Sequence, residues 1–480
     1  MNMAKTVPGM QEWEEATFIR EEEIKRLLAE AEKKKKDDVF AIIEKARQAQ
    51  GLTLPETAAL LQVSDADLLS AMFAAAKEVK ERIYGKRVVL FAPLYVSDFC
   101  VNNCVYCGYR RSNRFLRRKL SREELAQEVR LLENMGHKRL ALEAGEDPEA
   151  CPLDYILECI RTIYGLKFAN GSIRRINVNI AATTIDAYRR LKAAEIGTYI
   201  LFQETYHRET YQAMHPQGPK SDYDWHTTAH DRAMLAGIDD VGFGVLFGLY
   251  DYKFEVLALL QHARHLEERF GVGPHTISVP RLRPATGVNI KSFPYLVSDA
   301  DFAKLVAVLR LAVPYTGIIL STRESPAFRD KLLSYGISQI SAGSCTGVGG
   351  YKEEVERRTA VEEDSPPQFA VDDHRSVDEV MHSICTSGYL PSYCTACYRQ
   401  GRTGDRFMAL AKTGQIQNVC QPNAILTFKE YLLDYATPET RALGEKIIAS
   451  HLAEIENPEV RELTEARLAG IEQGERDLYF

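Results

Sequence analysis

Residues 87–113 read "RVVLFAPLYVSDFCVNNCVYCGYRRSN", an apolar run followed by three closely spaced cysteines. The run begins with "RVVLFA" (87–92), whose apolar and β-branched residues predict a β-strand. Cys100, Cys104 and Cys107 follow in a C-x3-C-x2-C spacing. A structural zinc site needs four closed ligands, whereas three thiolates can hold three corners of a 4Fe-4S cluster and leave one iron open. The spacing therefore favours an iron-sulfur cluster with an open iron.

This strand is the first of eight in the predicted fold. Seven further runs follow it, namely "RLALEA" (139–144), "INVNIAA" (176–182), "TYILFQE" (198–204), "DVGFGVLF" (240–247), "HTISVP" (275–280), "GIILST" (317–322) and "ISQISA" (337–342). The segments between them have helical periodicity, and Ser121 with Glu124 forms a capping box before one of them. Eight such units predict an α/β chain folded as a (β/α)8 TIM-type barrel, although a doubly wound open sheet has the same pattern. In a barrel, the cysteines would lie at the C-terminal ends of the strands, where barrel enzymes have their active sites.

Three regions are predicted along the chain of 480 residues. Residues 1–85 form an N-terminal helical extension, because amphipathic helical spacing continues through them. Residues 86–348 form the barrel. Residues 349–480 comprise a linker, the last barrel helix and a mainly helical C-terminal domain that carries a second group of cysteines.

The composition is that of a folded protein, with 45% hydrophobic residues, 26% charged residues and a formal net charge of −7. This balance predicts no nucleic acid and no membrane as a partner, and it favours a small substrate. The start of the chain lacks the apolar core of a signal peptide, and no apolar stretch long enough to span a membrane follows. We therefore expect a cytoplasmic protein.

The second cysteine group, called the second trio below, is Cys394, Cys397 and Cys420. A C-x2-C pair is as typical of a zinc knuckle or a redox pair as of an iron-sulfur site, and His382 or Cys385 could complete a zinc site. With a cluster-binding barrel before it, an auxiliary 4Fe-4S cluster is the favoured interpretation, again with one iron that lacks a cysteine ligand.

Cys100, Cys104 and Cys107 are called the first trio below. With Tyr106 before its last cysteine, the first trio resembles the signature of radical S-adenosylmethionine (SAM) enzymes. The resemblance implies that SAM chelates the open iron and that its reductive cleavage yields a 5′-deoxyadenosyl radical. It also implies positions that bind SAM. The segment that binds the methionine amino group is matched by Ala144, Gly145 and Glu146. The stretch beside adenine is matched by Gly244, whereas Leu246 and Asp251 depart from the pattern of that stretch. Further candidates for SAM or substrate contacts are Asn177, Asn179, Gln203, Glu204 and Arg281, with structural hydrogen bonds as the alternative for some of them.

Several segments together are similar to the radical SAM tyrosine lyases that mature FeFe-hydrogenase: "GHKRLALEAGEDP", "YILFQETYHRETYQAMHPQGPK", "LSTRESPAFRD" and "GYLPSYCTACYRQGRTGDRFM". The resemblance implies cleavage of L-tyrosine at the Cα–Cβ bond to p-cresol and dehydroglycine. Dehydroglycine would then become carbon monoxide and cyanide on the auxiliary cluster, building an Fe(CO)(CN) unit for the H-cluster. The alternative is a 2-iminoacetate synthase for thiazole biosynthesis, a relative that shares many of these motifs but lacks the second trio.

The same resemblance implies roles for single residues. Arg323 would bind the tyrosine carboxylate with Ser321 and Thr322 as polar neighbours, although an arginine here could instead pair with Glu324. The labile iron of the auxiliary cluster would need a protein ligand, and His275, at the N-terminal end of strand six, is the chosen histidine. His262 and His265 on the preceding helix are the less favoured histidines. The expected partners are L-tyrosine, SAM, a low-potential electron donor such as ferredoxin or flavodoxin, the hydrogenase-maturation scaffold and a sister radical SAM maturase.

Overall fold

The computed structural model describes residues 14–357 and 367–480. The predicted absence of a signal peptide and the start of the helical extension concern residues 1–13, which lie outside the described residues. The same holds for 358–366 in the predicted linker.

In the described residues, nine strands form one sheet. They are β1 (Arg87–Ser97), β2 (Arg139–Ala144), β3 (Arg175–Asn179), β4 (Tyr199–Glu204), β5 (Val241–Val245), β6 (Thr276–Ser278), β7 (Gly317–Leu320), β8 (Gln339–Ser341) and β9 (Leu390–Ser392). The first eight are all parallel, and β1 pairs with both β2 and β8, so the sheet closes on itself. The predicted (β/α)8 barrel is confirmed, and the open-sheet alternative is wrong.

Helices surround the barrel and extend the chain at both ends. They are α1 (Glu21–Ala31), α2 (Lys36–Ala46), α3 (Leu54–Leu61), α4 (Ala66–Tyr84), α5 (Arg122–Asn134), α6 (Leu153–Gly165), α7 (Ile185–Ala193), α8 (Arg208–Met214), α9 (Tyr223–Thr227), α10 (Ala229–Leu235), α11 (Tyr252–Phe270), α12 (Asp299–Ala312), α13 (Pro326–Leu333), α14 (Gly350–Arg357), α15 (Val377–Thr386), α16 (Ala396–Arg399), α17 (Gly404–Lys412), α18 (Gln417–Asp434), α19 (Pro438–Ala453) and α20 (Pro458–Glu472). In the described part of the chain, none of these helices has the length and apolar character that a membrane span requires.

The capping box predicted before α5 is present. Ser121 Oγ accepts a hydrogen bond from the Glu124 backbone N–H at 3.2 Å, and the Glu124 carboxylate accepts one from the Ser121 N–H at 2.7 Å. The two bonds satisfy N–H groups that an open helix terminus leaves without partners.

Strand β1 continues beyond the predicted end at Ala92, to Ser97. The backbone groups of Val89 and Phe91 form hydrogen bonds with the residues that flank β8. Pro93 lies two residues further along the strand, so its backbone nitrogen also points toward β8. The pairing with β8 ends at Phe91, and the missing N–H of Pro93 therefore costs no ladder bond.

The ninth strand, β9, was not predicted, because it has three residues and contains Pro391. It pairs in parallel with the beginning of β1, at Arg87–Val89. This pairing brings the segment with the second cysteine group to the N-terminal mouth of the barrel.

The helices before β1 cover the outside of the barrel. Helix α4 packs on α12, and α1 packs on α11. Ile24 and Met72 are fully buried at these contacts, so the N-terminal helices share the hydrophobic core of the barrel.

Candidate active site and auxiliary cysteine site

A cavity of about 220 Å³ opens at the C-terminal ends of the barrel strands, and Cys100, Cys104 and Cys107 line it. The loop that carries them is tied to its neighbours by backbone hydrogen bonds. The N–H of Val101 donates to Glu146 O at 2.8 Å, and the N–H of Val105 donates to Met214 O at 3.1 Å. The loops after β2 and β4 thus position the first trio.

The chemistry of this trio fits a cationic iron-sulfur group. Burial, with the neighbouring thiols, raises the pKa of Cys107 to about 11, and the pKa of Cys104 is raised in the same way. Several thiolates so close together in a buried site need a cationic partner. In the described residues, no three histidine, cysteine or carboxylate side chains converge as they would around a single metal ion. The three thiols instead stand around a shared cavity.

Six of the ten predicted SAM-site residues line this cavity: Tyr106, Ala144, Gly145, Glu146, Asn179 and Glu204. Gly145 is required by close approach, because a Cβ there would lie 2.3 Å from the backbone oxygen of Phe99. Asn102 Nδ2 donates a hydrogen bond of 2.6 Å to Glu146, which ties this segment to the first trio. Burial raises the pKa of Glu146, so a cationic ligand group would stabilise its carboxylate.

Glu204 ends β4 at an irregularity in the ladder, where its φ is +69°. A positive φ is uncommon for a residue with a side chain. The conformation places its carboxylate at the cavity, 2.8 Å from the ammonium of Lys220. Burial opposes the charge of Lys220, but Glu204 and Cys104 outweigh it, and the pKa of Lys220 is raised. Lys220 therefore brings a partly buried positive charge to the first trio.

The other four predicted SAM-site residues lie outside the cavity lining. Asn177 accepts a hydrogen bond of 3.0 Å from the Thr198 N–H, and Gln203 donates one of 2.8 Å to Thr227 Oγ1. Gly244 packs against the backbone of β6, where a Cβ would lie 2.5 Å from Ser278 O. Arg281 binds Glu324, with Nε at 3.0 Å from Oε1.

Ser321, Thr322 and Arg323 follow β7 and line the same cavity as the first trio. The Arg323 guanidinium stacks on the Phe369 ring, 3.4 Å from its centroid, and donates to Arg281 O at 3.3 Å. Burial lowers the pKa of Arg323 to about 10.

Glu324, the alternative partner of Arg323, is occupied by two other arginines. Its carboxylate accepts from Arg281 and, at 2.9 Å, from Arg283. Over residues 14–357 and 367–480, no carboxylate lies within 4.0 Å of the Arg323 guanidinium. Arg323 thus presents an uncompensated positive charge to the cavity.

Sequence reasoning missed several residues of this cavity, above all Glu143. It lies two residues beyond Ala141 in β2, and both line the cavity. Its carboxylate hydrogen-bonds Asn179, and burial raises the pKa of Glu143 to about 8. A glutamate in the apolar run "RLALEA" was the available signal.

Gln368 and Phe369 were missed as well, because they lie far from the strands in sequence. Gln368 accepts a hydrogen bond of 2.9 Å from the Tyr95 hydroxyl, and its amide lies 3.8 Å from the Cys107 sulfur. Both residues belong to a segment that folds back over the cavity.

A second cavity lies at the N-terminal mouth of the barrel, and Cys394, Cys397, Cys420 and His275 all line it. The cysteines come from the turn after β9, from α16 and from α18. His275 directly precedes β6, so the barrel and the C-terminal segment share this cavity.

The thiols of the second trio differ in pKa, and arginines surround them. The hydrogen bond between Cys397 and Cys420 lowers the pKa of Cys420 and raises that of Cys397, while burial raises the pKa of Cys394. Arg139 and Arg402 also line the cavity, and Arg139 donates to Cys394 O at 3.2 Å. Cationic surroundings of this kind suit metal-binding thiolates.

His275 faces a buried carboxylate at the edge of the second cavity. Its Nδ1 lies 3.2 Å from Asp240 Oδ1. Neither oxygen of Asp240 has a hydrogen-bond partner in the described residues, so this contact is a charge contact without hydrogen-bond geometry.

His262 and His265, the less favoured histidines, have partners outside the second cavity. His262 Nδ1 lies 2.8 Å from the Tyr206 hydroxyl, and His265 Nε2 lies 2.7 Å from Asp231. Neither of them lines the second cavity, and neither do His382 and Cys385, the residues considered for a zinc site.

Side chains in successive layers of the barrel line the two cavities. Val89, Arg139 and Gln339 line the second, whereas Phe91, Ala141 and Ser341 line the first. Members of each pair are two residues apart on the same strand, so they point to the same side of the sheet in successive layers.

Comparison with known proteins agrees with this architecture. Residues 94–263 match the radical SAM superfamily, and residues 278–390 match the biotin and thiamin synthesis associated domain. The crystal structure of HydG, described as a maturase of the [FeFe]-hydrogenase, is 63% identical, with a TM-score of 0.93 over 96% of this chain and 100% of that one. The HydG structure from Carboxydothermus hydrogenoformans is 41% identical, with a TM-score of 0.80 over 93% and 97%.

A curated relative is the 2-iminoacetate synthase of Escherichia coli K12, 31% identical over 353 residues, which are 73% of this chain and 89% of that protein. The radical SAM match implies one 4Fe-4S cluster and SAM as cofactors. Because the HydG structures match almost the whole chain, including the segment with the second trio, the chain belongs to the HydG family of radical SAM tyrosine lyases.

Proposed function

We propose that this enzyme cleaves L-tyrosine at the Cα–Cβ bond to p-cresol and dehydroglycine. It then converts dehydroglycine to carbon monoxide and cyanide at the second cysteine site, building an Fe(CO)(CN) unit for FeFe-hydrogenase. The observation that carries the proposal is the Arg323 guanidinium, which faces the same cavity as the first trio without a carboxylate partner in the described part of the chain.

Arg323 would bind the carboxylate of the amino acid through two parallel N–H···O bonds. Stacking on Phe369 holds the plane of the guanidinium, so little freedom is lost when the substrate binds. Ser321 and Thr322 place hydroxyl groups beside it. The wall of the cavity is largely apolar, which suits an aromatic ring.

The first trio would hold the cluster, and Tyr106, Gly145 and Glu146 would hold SAM beside it. Together, SAM and the reduced cluster supply the radical that removes a hydrogen atom from the substrate amino group. Glu143 would first accept one proton from the ammonium of the bound amino acid and leave a neutral amine. A carboxylate with a pKa near 8 is suited to that transfer at neutral pH.

The second trio would hold an auxiliary 4Fe-4S cluster. His275 would ligate the additional labile iron, with Asp240 fixing its orientation. Dehydroglycine would pass between the side chains of the successive barrel layers that line the two cavities.

A 2-iminoacetate synthase for thiazole biosynthesis is the second candidate, because the E. coli enzyme of that name covers 73% of this chain. That reaction would end with dehydroglycine at the first cavity. It gives no role to the three cysteines and the histidine of the second.

Anaerobic reconstitution with tyrosine, SAM and a reductant tests the proposal. About eight irons or more per chain are expected, together with p-cresol, carbon monoxide and cyanide. Exchange of Cys394 and Cys397 for Ala should spare p-cresol and abolish carbon monoxide. Release of dehydroglycine without carbon monoxide by the intact enzyme would favour the second candidate, and absence of p-cresol would refute tyrosine cleavage.

The proposed partners follow from the same chemistry. They are a ferredoxin or flavodoxin as electron donor, a maturation scaffold that receives the iron unit, and a sister radical SAM maturase. Thiolates at both sites require a reducing compartment, which makes the cytoplasm the proposed location.

A further inference from the structure

A segment that is rich in cations and free of acidic residues begins at the first trio. Residues 99–122 contain no aspartate or glutamate, whereas the whole chain has a formal net charge of −7. The cations of this segment are Arg110, Arg111, Arg114, Arg117, Arg118, Lys119 and Arg122.

Some of these cations serve the fold. Arg117 donates to Tyr109 O at 2.8 Å and to Arg110 O at 2.7 Å. Arg118 pairs with Glu124 at 2.7 Å, and Arg110 donates to Gly287 O at 2.7 Å. These bonds hold the segment in place behind the cysteine loop.

Arg111 and Arg114 are exposed, and no carboxylate of the described residues lies within 4.0 Å of either guanidinium. Leu116 lies beside them with 86% of its surface exposed, more than any other large apolar residue in the described ranges. An exposed leucine side chain beside arginines that have no carboxylate partner in the described residues is typical of a contact site with an apolar centre and a charged rim.

Hydrogen bonds connect the segment that carries Arg111 to the loop that carries the first trio. The N–H of Arg111 donates to Asn102 O at 2.7 Å, and Asn102 Nδ2 lies 3.8 Å from the Cys100 sulfur. The N–H of Ser112 donates to the Asn103 side chain at 3.3 Å. The arginine surface is therefore the outer side of the loop whose inner side carries the thiols.

We propose that Arg111, Arg114 and Leu116 form the docking surface for an acidic protein that delivers single electrons to the first cluster. The radical SAM reaction consumes an electron at that cluster, and substrates occupy the cavity on its inner side. A donor must then approach from outside, and the exposed Arg111 and Arg114, which have no carboxylate partner in the described residues, would steer an acidic partner to this loop. Small, charged interfaces are usual for redox encounters.

The test compares two reductants on the reconstituted full-length enzyme, with 5′-deoxyadenosine formation from SAM as the readout. Reduced flavodoxin, an acidic protein, is the first reductant, and dithionite is the second. The R111E/R114E variant should lose about tenfold or more of the flavodoxin-driven rate and keep the dithionite-driven rate within about twofold. Added salt should slow the wild-type enzyme with flavodoxin and have little effect on the variant.

Two further variants complete the design. L116S should weaken flavodoxin-driven turnover alone, because it removes the apolar centre of the contact. R161E is the matched control: Arg161 is exposed in the second half of α6, toward the opposite mouth, and its exchange should change neither rate.

An unchanged flavodoxin rate in R111E/R114E would overturn the proposal. An equal loss with both reductants would also overturn it, because these side chains would then support the cluster rather than a partner. The readout does not depend on tyrosine, so the docking surface and the proposed tyrosine chemistry fail independently.

Discussion

Nδ1 of His275 lies 3.2 Å from Oδ1 of Asp240, at the mouth of the barrel opposite the first trio. Asp240 is buried, and burial raises the pKa of its carboxyl group. Burial of a carboxylate disfavours folding. Binding of a metal by the neighbouring histidine would offset this cost.

Exchange of His275 for Ala should remove the labile iron and leave p-cresol formation intact. Exchange of Asp240 for Asn should weaken iron binding about 10- to 100-fold, because the carboxylate no longer orients the ring. The measurement is the spectroscopic signal and content of the additional iron. His382→Ala is the control, since His382 does not line the second cavity. An unchanged iron signal in His275→Ala would refute the assignment.

Arg323→Lys should lower kcat/KM for tyrosine about 10- to 100-fold, because an ammonium cannot form the two parallel bonds of a guanidinium. Cleavage of SAM without tyrosine should persist, since Arg323 is not expected to hold SAM. Steady-state rates of p-cresol and 5′-deoxyadenosine formation separate the two effects. Unaltered tyrosine kinetics would place the carboxylate elsewhere.

Glu143 should make tyrosine cleavage depend on pH. Burial raises the pKa of Glu143 from 4.5 to about 8, so its proton-accepting form increases as the pH rises toward 8. Charged neighbours of the cavity are Arg323, Lys220, Glu146 and Glu204. Glu143→Gln should be slower and should lose the rise near pH 8, whereas a variant with the wild-type profile would exclude this role.

The same shift has a consequence for stability. The folded state holds the proton of Glu143 more tightly than the unfolded chain does, so the free energy of unfolding should fall as the pH rises from about 4.5 to about 8. Glu143→Gln should flatten this decline. Denaturant titrations at a series of pH values measure it.

Gly145→Ala should disturb the first trio. A Cβ at this position would lie 2.3 Å from Phe99 O, directly before Cys100, so the backbone of the cysteine loop must move. We expect a lower iron content after reconstitution and loss of SAM cleavage. Gly165→Ala is the control, because nothing lies within 4 Å of a Cβ there. Full cluster content in Gly145→Ala would contradict the requirement for glycine.

The sequence allowed the barrel to be predicted because each strand is a short apolar run between helices with their own start signals. Closure of the sheet could not be read from periodicity; it depends on pairing between β1 and β8, which are far apart in the chain. Strand β9 was missed because three residues with a proline carry no periodic signal.

At the sites, the cysteine spacing was informative because thiols that share a cluster are close in sequence. Asn177 and Asn179 show the limit of such reasoning. They lie on one face of β3, yet Asn179 lines the first cavity and Asn177 bonds to Thr198 one layer below. Which of the two reaches the first cavity depends on its depth along the barrel axis. This depth is set by the register between strands.

Strand β1 joins the two cysteine sites. Its end leads into the first trio, and its beginning pairs with β9, which leads into the second. Eleven residues of extended chain span about 33 Å, so this strand sets the distance between the two cysteine sites. Insertion or deletion of residues in β1 would therefore change the separation of the two sites and shift the pairing with the neighbouring strands.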